Sequence, residues 1–160
     1  MGNGLLWKAR AWAALLLLGV AACLAARADT VLPAAHDLRA SSARAAARGE
    51  PLVLLFSLPD CPYCEVVRAS TYRWLLRDGR AVEQIEMLDD VALRDFAGAP
   101  TTGAALARRL RVKLAPTVLF VGPGGRELAP RLVGAGVPDY YGGEVDDALQ
   151  RARAALQQGG

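Results

Sequence analysis

Leu52-Val53-Leu54-Leu55-Phe56 is an unbroken apolar run, set between Gly49-Glu50-Pro51 and Ser57. A strand with one wet face would alternate apolar and polar residues. A continuous apolar run suits a strand buried on both faces, as in a central parallel strand. The loop Ser57–Asp60 follows it. Cys61-Pro62-Tyr63-Cys64 then opens a segment of helical spacing, and Pro62 is tolerated in a first helical turn. Cys64, Val67, Thr71, Trp74 and Leu75 define one inward face, with Arg68, Arg73, Arg77 and Asp78 largely off it. The helix ends near Gly79.

The rest of the chain continues the alternation. Residues 29–35 form an extended lead-in, and Asp37–Arg48 reads as a helix stopped by Gly49 and Pro51. Ala81–Leu88 is a second strand, anchored by Val82, Ile85 and Leu88. Residues 89–100 match neither period. Thr101 caps a helix that runs through Leu110. Pro116–Val121 is a third strand, Gly122-Pro123-Gly124-Gly125 a turn, and Arg126–Val133 a returning strand. Gly142-Gly143 breaks the chain before a last helix, Glu144–Leu156, whose buried stripe is Val145, Leu149, Ala152 and Leu156. The order is that of an α/β domain with a mixed sheet. Trp74 and Phe96 are expected in the core, and Tyr140 and Tyr141 in packing contacts.

Charge excludes one class of partner. The formal charge is +3. Lys8, Arg10 and Arg27 lie in the first 28 residues, where there is no acid. The remaining 16 basic residues face 16 acidic ones, so the domain is neutral. No basic run interleaved with aromatics occurs, and nucleic acid is set aside as a partner. The leading segment reads as an export signal over residues 1–28. Lys8 and Arg10 make a positive start, Ala11–Ala22 an apolar stretch, and Ala26-Arg27-Ala28 a small-x-small cleavage site. The stretch is shorter than the ~20 residues of a spanning helix. Val20-Ala21-Ala22-Cys23 also resembles a bacterial lipobox, which would end the signal at residue 22 and lipidate Cys23. The soluble form is favoured, and membrane attachment is expected only with that lipidation.

The chain has three cysteines and one histidine. Either processing route removes Cys23 as a free thiol, leaving Cys61 and Cys64 as partners. A bridge over two intervening residues closes too small a loop to stabilise a fold much. It points instead to redox chemistry. A helix N-terminus carries partial positive charge and unpaired N–H groups, which favour a thiolate. Cys61 sits at that terminus as the expected nucleophile. Cys64, one turn later on the inward face, is expected to resolve the mixed disulfide. Half a zinc site is the competing reading, but zinc takes four ligands and His36 is the one histidine. No metal is expected, and His36 is read as a surface residue. The redox-active Cys61–Cys64 disulfide stands in place of any cofactor.

These residues resemble the thioredoxin superfamily over roughly residues 50–157. Cys61-Pro62-Tyr63-Cys64 is similar to the glutaredoxin tetrapeptide. The longer stretch Phe56–Cys64 looks like periplasmic disulfide isomerase and reductase domains. Ala115-Pro116-Thr117 resembles the family's cis-proline loop. The resemblance implies a thioredoxin fold: a central mixed four-stranded sheet flanked by helices, with residues 29–49 as an N-terminal helical extension. It implies that Pro116 is cis, and that the Ala115–Thr117 loop packs beside the cysteines and pairs its backbone with an incoming peptide. Pro62 and Tyr63 complete the active-site motif and modulate its potential. It further implies the periplasm of a Gram-negative bacterium, exported protein thiols and disulfides as substrates, and a membrane electron donor. The sequence departs from thioredoxin at two places. Leu55 replaces the buried acid six positions before the first cysteine, and Asp60 replaces the tryptophan before the motif.

Three functions fit these residues. One is a protein-disulfide reductase, favoured because no helical insertion of the kind oxidases carry is visible. The second is an oxidase that donates the Cys61–Cys64 disulfide. The third is a non-enzymatic chaperone holding copper through two thiolates.

Overall fold

The computed structural model describes residues 31–159. The export signal read over residues 1–28, and Cys23 with it, lie outside the described residues. In chain order the elements are helix α1 (Leu38–Ala46), strand β1 (Leu52–Ser57), helix α2 (Pro62–Val67), a π-helical turn (Arg68–Tyr72) and helix α3 (Arg73–Arg77). Strands β2 (Val82–Glu86), β3 (Ala92–Arg94) and β4 (Pro100–Thr102) follow, then helix α4 (Gly103–Arg109) and strand β5 (Thr117–Val121). A 3-10 turn (Pro123–Gly125), strand β6 (Leu132–Val133) and helix α5 (Pro138–Gln158) complete the domain.

The sheet is mixed and four-stranded, in the order β2-β1-β5-β6. Strand β1 runs parallel to β2 and antiparallel to β5. It therefore has no free edge, and every one of its residues is buried. That is what its unbroken apolar run requires. Val53 and Leu55 pack on one face of the sheet with Val67, Val118, Phe120 and the α5 stripe Val145 and Leu149. Leu52, Leu54 and Phe56 pack on the other with Leu38, Ile85, Leu106 and Leu119. Burying each such side chain contributes roughly 1.5–3 kcal/mol, and this strand serves both layers at once.

The lead-in does more than precede α1. Gln84 donates its N–H to Pro33 O at 2.8 Å, and Ala35 donates to Gln84 O at 2.9 Å. The lead-in thus covers the outer edge of β2, which would otherwise expose unpaired backbone. It then reaches the residues that sequence periodicity left unassigned. Arg94 donates to His36 O at 2.8 Å. Residues 89–100 contain β3 and the start of β4, an antiparallel hairpin. Asp95 closes its turn by accepting the N–H groups of Ala97 and Ala99, both at 2.9 Å. Two strands of three residues are too short to show a period.

Several boundaries differ from expectation. The α4 cap is Thr102, not Thr101: its Oγ1 accepts the Ala105 N–H at 3.2 Å. The returning strand expected over Arg126–Val133 shortens to Leu132–Val133, with one further bridge from Val121 to Glu127. Pro130 lacks an N–H and interrupts that ladder. Helix α5 begins at Pro138 and runs through Gly142-Gly143, where a break was expected. The first turn is held from inside by Tyr141, which is buried and whose phenol meets that of Tyr72 at 2.6 Å. Tertiary packing there outweighs the ~1 kcal/mol that each helical glycine costs.

Two glycines should respond to alanine with opposite signs. A Cβ on Gly143 meets nothing within 4 Å. Gly143→Ala should therefore raise stability by about 0.5–1 kcal/mol. A Cβ on Gly103 would lie 2.3 Å from Glu86 O, where α4 starts against the end of β2. Gly103→Ala should lower stability by about 1–3 kcal/mol. Urea unfolding of both variants checks the pair, and equal signs would contradict this packing.

Candidate active site

Strand β1 delivers the chain to the site, and the backbone turns at Asp60, which has a positive φ of 51°. Aspartate is among the few side chains that adopt this conformation readily. The turn places Cys61 as the N-cap of α2, with extended backbone (φ −92°, ψ 104°). Its own sulfur accepts the Cys64 N–H at 3.2 Å. Asp60 is thus the turn residue and Cys61 the cap. A sulfur in this place meets the partial positive end of the helix.

Cys61 and Cys64 form a disulfide with Cα atoms 5.3 Å apart. The two differ in access. Cys64 is fully buried, while Cys61 is partly exposed. Tyr63 between them is 68% exposed, so the motif presents its aromatic ring to solvent. Pro62 takes the first helical position, where its missing N–H leaves nothing unsatisfied.

Register brings the second sequence feature to the same place. Phe56 pairs with Thr117, so β5 begins at the end of the sheet where β1 stops. The Ala115–Pro116 peptide bond is cis. Pro116 is buried and its carbonyl accepts the Gly134 N–H at 2.7 Å. Thr117 is 2% exposed and donates its hydroxyl to Leu114 O at 2.7 Å. The loop Ala115–Thr117 is therefore fixed from both sides. Leu55, at the position of thioredoxin's buried acid, is fully buried among apolar side chains. His36 is exposed on the lead-in. Among the described residues, no group of three or more His, Cys, Asp or Glu is placed to hold a metal.

The helix after the motif is not a regular α-helix. The π-helical turn Arg68–Tyr72 inserts an extra residue into the spacing. Tyr72 rather than Thr71 then takes the inward position and is fully buried. Trp74, expected in the core, is 49% exposed and lies between the guanidinium groups of Arg73 and Arg77, at 5.1 and 5.0 Å. Arg68, read as lying off the inward face, is buried at 8% exposure. The shift in phase explains Thr71 and Trp74; Arg68 stands at its start and is inward because it lies four positions after Cys64.

Sequence reasoning missed two buried polar groups under the motif. Tyr72 and Tyr141 share the hydrogen bond already described, with their rings edge to face. Burial pushes the Tyr72 phenol well above its ordinary value, and the neighbouring Tyr141 adds to this. Burial likewise pushes Tyr141 up to about 12. Both stay neutral through the working range of pH, and their bond ties the motif's helix to α5. The second group surrounds Arg68. Its guanidinium donates to Ser57 Oγ at 3.0 Å and Gln84 Oε1 at 2.7 Å, and it pairs with Glu65. Gln84 Nε2 passes the contact on to Glu86 Oε1 at 2.6 Å. Burial raises the Glu86 carboxyl above its ordinary range, against the opposing pull of Arg68. A charged residue four positions after Cys64 was the visible signal, since i and i+4 share a helix face.

A family model described as a thioredoxin-like domain matches residues 38–148. No curated protein sequence matches. Among solved structures, a thioredoxin from Thermus thermophilus is similar, with 23% identity and a TM-score of 0.48 over 71% of this chain and 86% of that one. A structure titled DsbH oxidoreductase is similar at 14% identity, with a TM-score of 0.49 over 76% of this chain and 88% of that one. A thioredoxin-fold protein from Helicobacter pylori is similar at 17% identity, with a TM-score of 0.42 over 69% of this chain and 84% of that one.

The cap geometry makes a direct prediction. In the reduced protein the Cys61 thiol should titrate below the ~8.5 of a free cysteine. Thiolate absorbance in the ultraviolet, followed against pH in wild type and in Cys61→Ser, checks this. A Cys61 thiol that titrates at or above ~8.5 would contradict the stabilising role of the helix end.

Proposed function

The chain belongs to the thioredoxin-like family, and on that premise we propose that it is an exported protein-disulfide reductase. The observation that carries the reading is the asymmetry of the Cys61–Cys64 pair: one sulfur partly exposed at a helix N-terminus, the other buried one turn deeper. In the reduced protein the Cys61 thiolate attacks a sulfur of the substrate disulfide. That S–S bond breaks, a mixed disulfide forms through Cys61, and the first substrate thiolate leaves. Cys64 then loses its proton and attacks the Cys61 sulfur. The second substrate thiol leaves, taking a proton, and the Cys61–Cys64 disulfide is restored. Two electrons have passed to the substrate, and a dithiol donor at the membrane returns them.

In this reading exposed Tyr63 and the fixed Ala115–Thr117 loop, at the end of the sheet where β1 stops, make the surface that meets the substrate. Ala115 pairs its backbone with the incoming peptide, and Pro116 holds that loop in place. Substrates are disulfides of exported proteins in a Gram-negative periplasm, reached through the signal at residues 1–28 or by lipidation at Cys23. The reductase direction is supported by what lies between the motif's helix and β5: strand β2, a short hairpin and α4, with no inserted helical layer among the described residues.

Single cysteine variants test the reading. Cys61→Ser should abolish the purified protein's acceleration of insulin-disulfide reduction by dithiothreitol over the uncatalysed rate. Cys64→Ser should accumulate mixed disulfides with exported proteins, seen as bands that collapse on reduction. Acceleration of insulin reduction surviving in Cys61→Ser would remove Cys61 as nucleophile, and no trapped partner in Cys64→Ser would remove the resolving role. Stoichiometric Cu(I) binding without disulfide reduction would favour the metal-chaperone alternative.

A further inference from the structure

We propose that Arg68 and Glu86 set the redox poise of the Cys61–Cys64 couple with opposite signs, Arg68 favouring the reduced pair and Glu86 opposing it. The inference rests on the proposed redox role of that couple and assigns regulation of its equilibrium to two residues outside the motif.

Placement comes first. The Arg68 backbone N–H donates to Cys64 O, so Arg68 stands one helical turn beyond Cys64. Side chains in that relation have Cβ atoms about 5–6 Å apart. Arg68 lies on the inward side, 8% exposed, while Cys64 and Ser57 are fully buried. A charge in such surroundings is weakly screened by water and salt.

Its hydrogen-bond partners come from two strands and from its own helix. From β1 it meets Ser57 at 3.0 Å, and from β2 Gln84 at 2.7 Å. From its own helix it meets Glu65, whose side chain is 64% exposed and therefore well solvated. Glu86 stands behind Gln84 at 2.6 Å, with Asp89 as its other charged neighbour. The Glu86 Oε2 atom is buried without a hydrogen-bond partner. The other oxygen, Oε1, takes the Gln84 contact, and the side chain as a whole is half-buried. Leu55 leaves no acid on β1 at this level, and Arg68 is the buried cation one helical turn beyond Cys64.

Reduction converts a neutral disulfide into two thiols, one of them a thiolate near neutral pH. A nearby cation stabilises that product and a nearby anion destabilises it. Removing Arg68 withdraws the cation and leaves Glu86 unopposed, and both changes favour the disulfide. Removing the Glu86 charge does the reverse. Neither residue touches the reacting sulfurs; both act through the thiolate's energy.

The experiment equilibrates the full chain with glutathione buffers and reads the reduced fraction. It is done for wild type, Arg68→Met, Arg68→Lys and Glu86→Gln. Arg68→Met should lower the equilibrium constant for reduction by on the order of threefold or more and raise the Cys61 thiol pKa. Glu86→Gln should raise the constant and lower that pKa. Arg68→Lys keeps the charge and should stay within about twofold of wild type. Loss of packing alone would not move the two residues' variants in opposite directions. Shifts of the same sign, or constants unchanged in both Arg68→Met and Glu86→Gln, would overturn the proposal. Should Arg68→Met fail to fold, the near-isosteric Glu86→Gln decides alone, a constant at or below wild type overturning it. The glutathione equilibrium is defined whether or not the protein turns over a substrate. Wild type inactive on insulin with these shifts intact would fell the proposed function and leave this inference standing.

Discussion

The hydrogen bond from the Cys64 N–H to the Cys61 sulfur, at 3.2 Å, is the contact on which the functional account depends. It makes a cysteine serve as a helix cap, a place ordinarily taken by a serine, threonine or aspartate oxygen. The same contact aims a chemically active atom at the positive end of the helix. Everything else in the fold serves to hold that helix start against the end of the sheet.

That support is layered. Strand β1 is buried on both faces and paired on both edges, so its C-terminal end is a rigid platform for the turn at Asp60. Strand β5 runs against it, and its register sets the cis Ala115–Pro116 bond at the same end. Below the motif, the Tyr72–Tyr141 bond and the Arg68 contacts fasten the helix to α5 and to two strands. Apolar burial supplies most of the stability. The polar groups supply position, because each buried donor or acceptor is satisfied in only a few arrangements.

The parts legible in the sequence were those with a strong local signature. Leu52–Phe56 announced a central strand by having no polar break. Cys61-Pro62-Tyr63-Cys64 announced a helix start with a thiol pair, and the buried stripe of α5 showed in Val145, Leu149 and Ala152. The illegible parts depend on contacts distant in sequence. The π-helical turn changes the phase of the helix without any glycine or proline to mark it, so the regular period expects Trp74 inside. The hairpin of β3 and β4 is too short to carry a period. The α5 start was hidden because Gly142-Gly143 is a local break signal that the buried Tyr141 overrides.

The central claim is that the Cys61–Cys64 disulfide works in the reducing direction. Its reduction potential, from equilibration with glutathione buffers, tests that most directly. The account predicts a value near ~−270 mV, in the range of thioredoxin, which requires a dedicated donor and drives electrons onto protein disulfides. A value near ~−120 mV, that of a strong disulfide donor, would contradict it and make the protein an oxidase.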